Sequence, residues 1–268
     1  MFVDMHTHSE FSTDSVCPIL DMAKAQKEMG TNIFAVTDHF DMSTYVEKKS
    51  IQAIKNCHNK IDGLQLNDIE ILKGIEFGEA NWDIKLANNL IKELQPDVAI
   101  CSTHAILIKS SLCIHIHNTN FSTFTKEEIN NFFLLYFKGV QENIKMDCDI
   151  LAHLTLPLRY FKAKYDIDVD ITHYNEQINL ILDYIIKNNI ALEINTSALK
   201  TGIKDFLPDK EIVNRYLDMG GKMLTLGSDA HASENASYGF IKAKEMLNSL
   251  GITEAYYFKN RQPVKYEL

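Results

Sequence analysis

The chain has no apolar run long enough to cross a bilayer, which excludes an ordinary membrane-spanning helix. Nor does it open on a basic segment followed by an apolar stretch. Met1 leads straight into polar Asp4 and His6, so no secretory leader is expected. Cysteine is sparse and odd in number. Cys17, Cys57, Cys101, Cys113 and Cys148 are scattered and form no Cys-x-x-Cys pair, which argues against a disulfide framework and for a reducing cytoplasm. Basic residues are in deficit: 27 Lys and Arg against 36 Asp and Glu leave a net charge of −9, poorly suited to nucleic acid as a bulk electrostatic partner. Gly/Ser/Pro-rich linkers, short repeats and low-complexity segments are also missing. Residues 1–268 are therefore expected to form one domain, with length enough for a barrel-sized core.

What is present is a strand followed by a helix, again and again. Short β-branched or aliphatic runs occur at about 2–8, 33–39, 69–77, 97–104, 149–154, 190–196 and 223–229. Helical spacing fills stretches between them, such as Ile19 to Met29, Ile84 to Leu94, Ile178 to Ile186 and Ile212 to Met219. Pro18 and Pro208 stand where helices would begin. Seven such units predict an α/β fold, either a parallel barrel or a doubly wound sheet.

Polar residues at the strand ends decide between the two. The runs end in Asp4-Met5-His6-Thr7-His8, Thr37-Asp38-His39, Gly74-Ile75-Glu76, Ser102-Thr103-His104, Leu151-Ala152-His153, Glu193-Ile194-Asn195 and Gly227-Ser228-Asp229-Ala230-His231. In a barrel these ends converge on one face, whereas an open sheet would spread them along an edge. A seven-stranded β/α barrel is therefore predicted. Strand alternation puts His6 and His8 on one face, with Asp4 below them as a possible acceptor for an imidazole N–H, and pairs Asp229 with His231. Imidazole and carboxylate ligands suit Zn, Fe or Mn, and so many of them imply two or three ions. His115-Ile116-His117 is expected to be a decoy, and His58 and His173 are expected to face solvent.

These same stretches, together with Phe77-Gly78-Glu79 and Thr196-Ser197, resemble the polymerase-and-histidinol-phosphatase (PHP) family, and within it the histidinol-phosphatase branch. The resemblance runs from the first residues to within about forty of the C-terminus. It implies a distorted (β/α)7 barrel with three metal ions. His6, His8 and Asp229 would hold one, with Glu76 bridging to a second completed by His104 and His153. His39 and His231 would hold the third with the residue six after His8; many members have histidine there, and this chain has Asp14. Asp14 reads alternatively as a polar cap in a loop.

The implied chemistry is hydrolysis of a small phosphate monoester, L-histidinol phosphate above all, by a metal-bridging hydroxide formed near neutral pH. Bound cations would reconcile an acidic protein with an anionic substrate. Glu76, Asp229 and Arg159 are the catalytic candidates. Arg159, after the fifth strand, would clamp the phosphate, or else is a solvated loop cation. Asn195 and Glu193 share a face of the sixth strand and either orient substrate or form an inner polar network. The connection 106–124 is long enough to shape a pocket. Three other readings stand beside this one. They are a phosphodiesterase or nuclease on the same metals, an amidohydrolase (which would want a lysine where Glu76 stands), and a non-catalytic binder of a phosphorylated metabolite.

Overall fold

The computed structural model describes residues 2–45, 47–109 and 112–268; Met1, Val46, Ser110 and Ser111 lie outside them. The strands are β1 (Phe2–Thr7), β2 (Thr31–Val36), β3 (His39–Asp41), β4 (Glu70–Gly78), β5 (Val98–Ser102), β6 (Ala105–Lys109), β7 (Leu112–His115), β8 (Ile150–Leu151), β9 (Ala191–Asn195), β10 (Leu224–Gly227), β11 (Glu254–Lys259) and β12 (Gln262–Glu267). The helices are α1 (Ile19–Glu28), α2 (Glu47–Asp62), α3 (Ile84–Leu94), α4 (Lys126–Asn143), α5 (Pro157–Tyr165), α6 (Asn175–Lys187), α7 (Lys210–Asp218) and α8 (Phe240–Ser249). No helix among the described residues is long and apolar enough to cross a membrane.

Seven strands pair in parallel in chain order, β1-β2-β4-β5-β8-β9-β10, with β3 added beside β4. The sheet curls until its ends nearly meet. Thr7 bridges Ala230, the Asp229 N–H donates to the His6 carbonyl (2.8 Å), and the His8 N–H donates to the Ala230 carbonyl (2.9 Å). The predicted seven-stranded barrel is what forms. Strands buried on both faces explain why runs such as Val98–Ser102 are apolar without alternation.

Local chemistry sets the helix starts. Asp83 accepts from the Leu86 N–H at the head of α3 (2.9 Å), and Asp209 accepts from Ile212 at the head of α7 (2.9 Å). Thr125 and Glu128 form a reciprocal capping box on α4.

Several observed strands stop short of the sequence runs where ligand-type residues leave the ladder, although β4 keeps Glu76 in the ladder and runs on to Gly78. His153 (φ 24°) and Asp229 (φ 52°) take left-handed backbone conformations that swing them off the strand line. Three features had no sequence expectation. β3 is a three-residue strand whose register sets His39 beside Glu76 and Asp41 beside Gly78. The 106–124 connection begins as an antiparallel hairpin, β6–β7, rather than a bare loop. The C-terminal hairpin β11–β12 turns through Asn260-Arg261, both at positive φ, as a two-residue turn requires.

That last hairpin closes the end of the barrel opposite the strand C-termini. Its Ala255, Phe258 and Tyr266 pack with Val3, Met5, Leu72, Val98, Ile100 and Ile150 in one apolar cluster. Arg261 pins the turn, pairing its guanidinium with Asp149 and donating its backbone N–H to the Asp97 carbonyl (2.9 Å). Phe258 is only 2% exposed. Truncation by Phe258→Ala should cost about 3–5 kcal/mol in denaturant unfolding. A loss below about 1 kcal/mol would mean that the hairpin does not plug the barrel.

Candidate metal centre

At the open end of the barrel one fully buried carboxylate gathers five imidazoles. Glu76 Oε1 lies 2.9 Å from His153 Nε2 and 3.2 Å from His104 Nε2. Its Oε2 lies 2.9 Å from His39 Nδ1, 3.3 Å from His6 Nε2 and 3.5 Å from His8 Nε2. Asp229 Oδ1 adds contacts at 3.4 Å to His8, 3.8 Å to His6 and 3.5 Å to His231. Asp14 Oδ2 sits further out, 3.1 Å from His231 and 3.4 Å from His39. Strands β1, β3 and β4 and the segments after β5, β8 and β10 therefore deliver the expected ligand set, apart from His8 and Asp14, which both come from the segment after β1.

Burial holds these groups against their ordinary ionisation, and the neighbours override it. Burial alone would depress His6, His39 and His104, but Glu76, with Glu193 at His6 and Asp41 at the other two, keeps all three well above the usual imidazole value. Glu76 and Asp229 are held well below the carboxylate range by the surrounding imidazoles, with Arg159 adding to the pull on Asp229. His8 is the exception. Burial and the charges of His231 and His39 push it down to about 3.

Several of these atoms are close without bonding. His6 Nε2, His8 Nε2, His39 Nδ1 and Glu76 Oε2 are buried and have no hydrogen-bond partner. A buried unpaired polar group costs about 1–3 kcal/mol, so four together need another ligand. Their donor atoms fall into four overlapping sets, each within 4.8 Å: His6/His8/Asp229, His6/Glu76/His153, His39/Glu76/His104 and His8/Asp14/His39/His231. Nitrogen and carboxylate oxygen converging on shared points is the donor chemistry of divalent Zn, Fe or Mn. The residues fit such ions.

The supporting bonds differ from the sequence expectation at Asp4. A register shift between Asp4 and Thr7 breaks the strict alternation of β1. Asp4 accepts from Gln26 of α1 (2.6 Å), from the Ser228 N–H (3.0 Å) and hydroxyl (2.5 Å), and from the His6 backbone N–H (3.3 Å), but from no imidazole. Glu193 takes that place, 2.7 Å from His6 Nδ1. Asp41, which sequence reasoning missed, stands 3.0 Å from His104 Nδ1; its two-residue spacing from His39 was the available signal. His8 Nδ1 has only the Ser12 hydroxyl (3.4 Å), and His231 Nδ1 the Asp229 carbonyl (2.9 Å).

A cleft of about 450 Å³ opens onto the cluster. Arg159 lines it from α5, in a helix and not a loop, donating to Asp229 Oδ2 (3.2 Å) and the Ser197 hydroxyl (2.6 Å) through Nη1 and to the Tyr160 hydroxyl (2.9 Å) through Nη2. Another wall comes from the end of β7 and the residues after it, where His115 and His117 border the cleft. As expected of a decoy, they lie outside all four ligand sets found among the described residues, although they line the cleft. Lys164 and Tyr165 of α5 fasten this wall by donating to the carbonyls of His117 and Thr119. Asn195 does not reach the cleft. It is fully buried, donating to Glu193 Oε2 (3.0 Å) and accepting from the Ser197 hydroxyl (2.6 Å), so a direct substrate contact is excluded by position. His58 is also buried, against expectation, with Nε2 3.1 Å from the Gly74 carbonyl, whereas His173 is exposed as expected.

The chain matches the family model described as "PHP domain" over residues 4–197. A probable histidinol-phosphatase from Thermotoga maritima is 31% identical, covering 88% of this chain and 87% of that one. A probable histidinol-phosphatase from Clostridium acetobutylicum is 27% identical over 97% of this chain and 98% of its own length. Among solved structures, a histidinol phosphate phosphatase from Lactococcus lactis, complexed with zinc, L-histidinol and phosphate, superposes with a TM-score of 0.77 at 22% identity, covering 98% of each chain.

A metal ion bound only by the native cluster should raise stability by about 2.7 kcal/mol at one hundred times its dissociation constant. Adding Zn or Mn should therefore raise the melting temperature by several degrees, and chelation should reverse it. Glu76→Ala should abolish the difference; a metal-dependent shift that survives this substitution would place the ions elsewhere.

Proposed function

The chain belongs to the PHP domain family, and on that premise we propose that it is a metal-dependent phosphoric monoester hydrolase acting on L-histidinol phosphate. Its products are L-histidinol and inorganic phosphate, a step of histidine biosynthesis, carried out in the cytoplasm, a setting that suits its five unpaired cysteines. The observation that carries the reading is the buried Glu76 carboxylate among five imidazoles, at the floor of a cleft that also presents Arg159.

The ligand assignment is for three divalent ions. His6, His8 and Asp229 would hold the first, Glu76, His104 and His153 the second, and His39, His231 and Asp14 the third. Such ions would supply an acidified water as nucleophile and neutralise charge on the phosphate.

The remaining work falls to the chain. Arg159 is oriented by Ser197, Tyr160 and Asp229, so its guanidinium is preorganised to bind non-bridging phosphate oxygens as negative charge builds on them. As water adds its oxygen to phosphorus the ester P–O bond breaks, and one of the water's protons ends on the leaving oxygen, giving the alcohol and inorganic phosphate. His115, His117 and Tyr160 border the space where the leaving group would lie. Asp14 is half exposed, with a side chain 52% accessible, and brings negative charge to the outermost site. That site is therefore the one expected to exchange its ion most readily.

Metal-loaded protein should release phosphate from L-histidinol phosphate far faster than it cleaves bis(p-nitrophenyl) phosphate, a diester. Arg159→Ala should lower kcat/KM about 10²–10³-fold. Asp229→Ala should abolish turnover with little change in circular dichroism. Loaded protein that leaves histidinol phosphate intact would rule out the substrate, and an Arg159 variant with wild-type rates would rule out the clamp.

A further inference from the structure

We propose that Glu193 and Asp41 are positioning residues that fix the imidazoles of His6 and His104 with Nε2 turned towards Glu76. This rests on the metal-binding reading above and extends it to two carboxylates outside the ligand set. Each accepts at Nδ1 of its histidine, at 2.7 Å for Glu193 on His6 and 3.0 Å for Asp41 on His104. A carboxylate is an acceptor only, so it selects the tautomer with hydrogen on Nδ1 and leaves the Nε2 lone pair free. In both rings that Nε2 faces Glu76, at 3.3 Å and 3.2 Å.

The backbone makes room for these two carboxylates and points to the same roles independently. A Cβ on Gly227 would lie 2.0 Å from Glu193 Oε1 and 2.8 Å from His6 Cβ. A Cβ on Gly78 would lie 2.2 Å from Asp41 Oδ1 and 3.1 Å from His104 Nδ1. Any side chain at either glycine would displace the support.

The two supports are not equivalent. Glu193 uses both oxygens as acceptors, Oε1 at His6 and Oε2 at the His153 backbone N–H (2.8 Å) and Asn195 (3.0 Å). Through Asn195 and the Ser197 hydroxyl this network reaches the Arg159 guanidinium. It therefore ties the orientation of His6 to the orientation of the guanidinium. Asp41 meets His104 through one oxygen, which an asparagine could replace.

The test measures zinc affinity by chelator competition, with imidazole ¹⁵N shifts of the zinc-loaded protein as the tautomer readout. Glu193→Gln must set an N–H against a donor, so it should weaken binding about 10–100-fold, nearly as much as Glu193→Ala. Asp41→Asn should retain much of the affinity that Asp41→Ala loses. Asp149→Asn, which disturbs a buried carboxylate at the opposite end of the barrel, should lower the melting temperature and leave zinc affinity unchanged. Wild-type affinity and an unchanged His6 tautomer in Glu193→Gln would overturn the inference. A wild-type protein that takes up no zinc would instead overturn the metal reading beneath it.

Discussion

A carboxylate with no exposed surface, ringed by five imidazoles, is an expensive thing to build, and the barrel is organised around doing so at Glu76. The rings arrive from four places, β1 with its end, β3, and the segments after β5 and β8, so the arrangement exists only when the sheet has closed and the registers are right. The β3–β4 register sets His39 against Glu76, and the seam between β1 and the end of β10 brings His6 and His8 to Asp229. Mutual stabilisation of opposite charges lowers the cost, which is why His6, His39 and His104 stay high and Glu76 and Asp229 low in their ionisation. The orphaned nitrogens and oxygen at the centre leave a remainder that protein groups do not satisfy.

The rings differ in what supports them. His6 and His104 lean on carboxylates, whereas His8 and His231 lean on a hydroxyl and a backbone carbonyl. A charged acceptor raises the basicity of the ring it holds more than a neutral one does. These supports do not follow accessibility, because His8 is as buried as His6 and Glu76, while half-exposed Asp14 stands at the mouth of the site.

The barrel and its convergent face were legible because β/α alternation and ligand-type strand ends are local patterns that repeat. His6, His8, His39, Glu76, His104, His153, Asp229 and His231 could be placed from their positions along the strands alone. Asp4 could not, because alternation presumes a regular ladder and the register of β1 slips between Asp4 and Thr7. Asn195 was misplaced for a related reason: a strand-end amide looks the same in sequence whether it faces the cleft or spends both its ends inward. The C-terminal hairpin follows the last ligand segment, carries no histidine and has no helix between its strands, so the pattern that located the other strands was silent there. Its partners lie at the beginning of the chain, among them Val3 and Met5. His58 looked like a surface residue of a helix, yet it packs against the Gly74 carbonyl.

The stitching of the cleft's far wall also has a mechanical side. Arg159 sits near the start of α5, and within its next two turns Lys164 and Tyr165 grip the carbonyls of His117 and Thr119. Both jaws are thus borne by a single rod. A bulkier guest could not push the imidazole-lined jaw outward without levering the same rod and dragging the guanidinium from Asp229. Discrimination by size would then be felt at the phosphorus end, as lost alignment, rather than as a simple failure to enter.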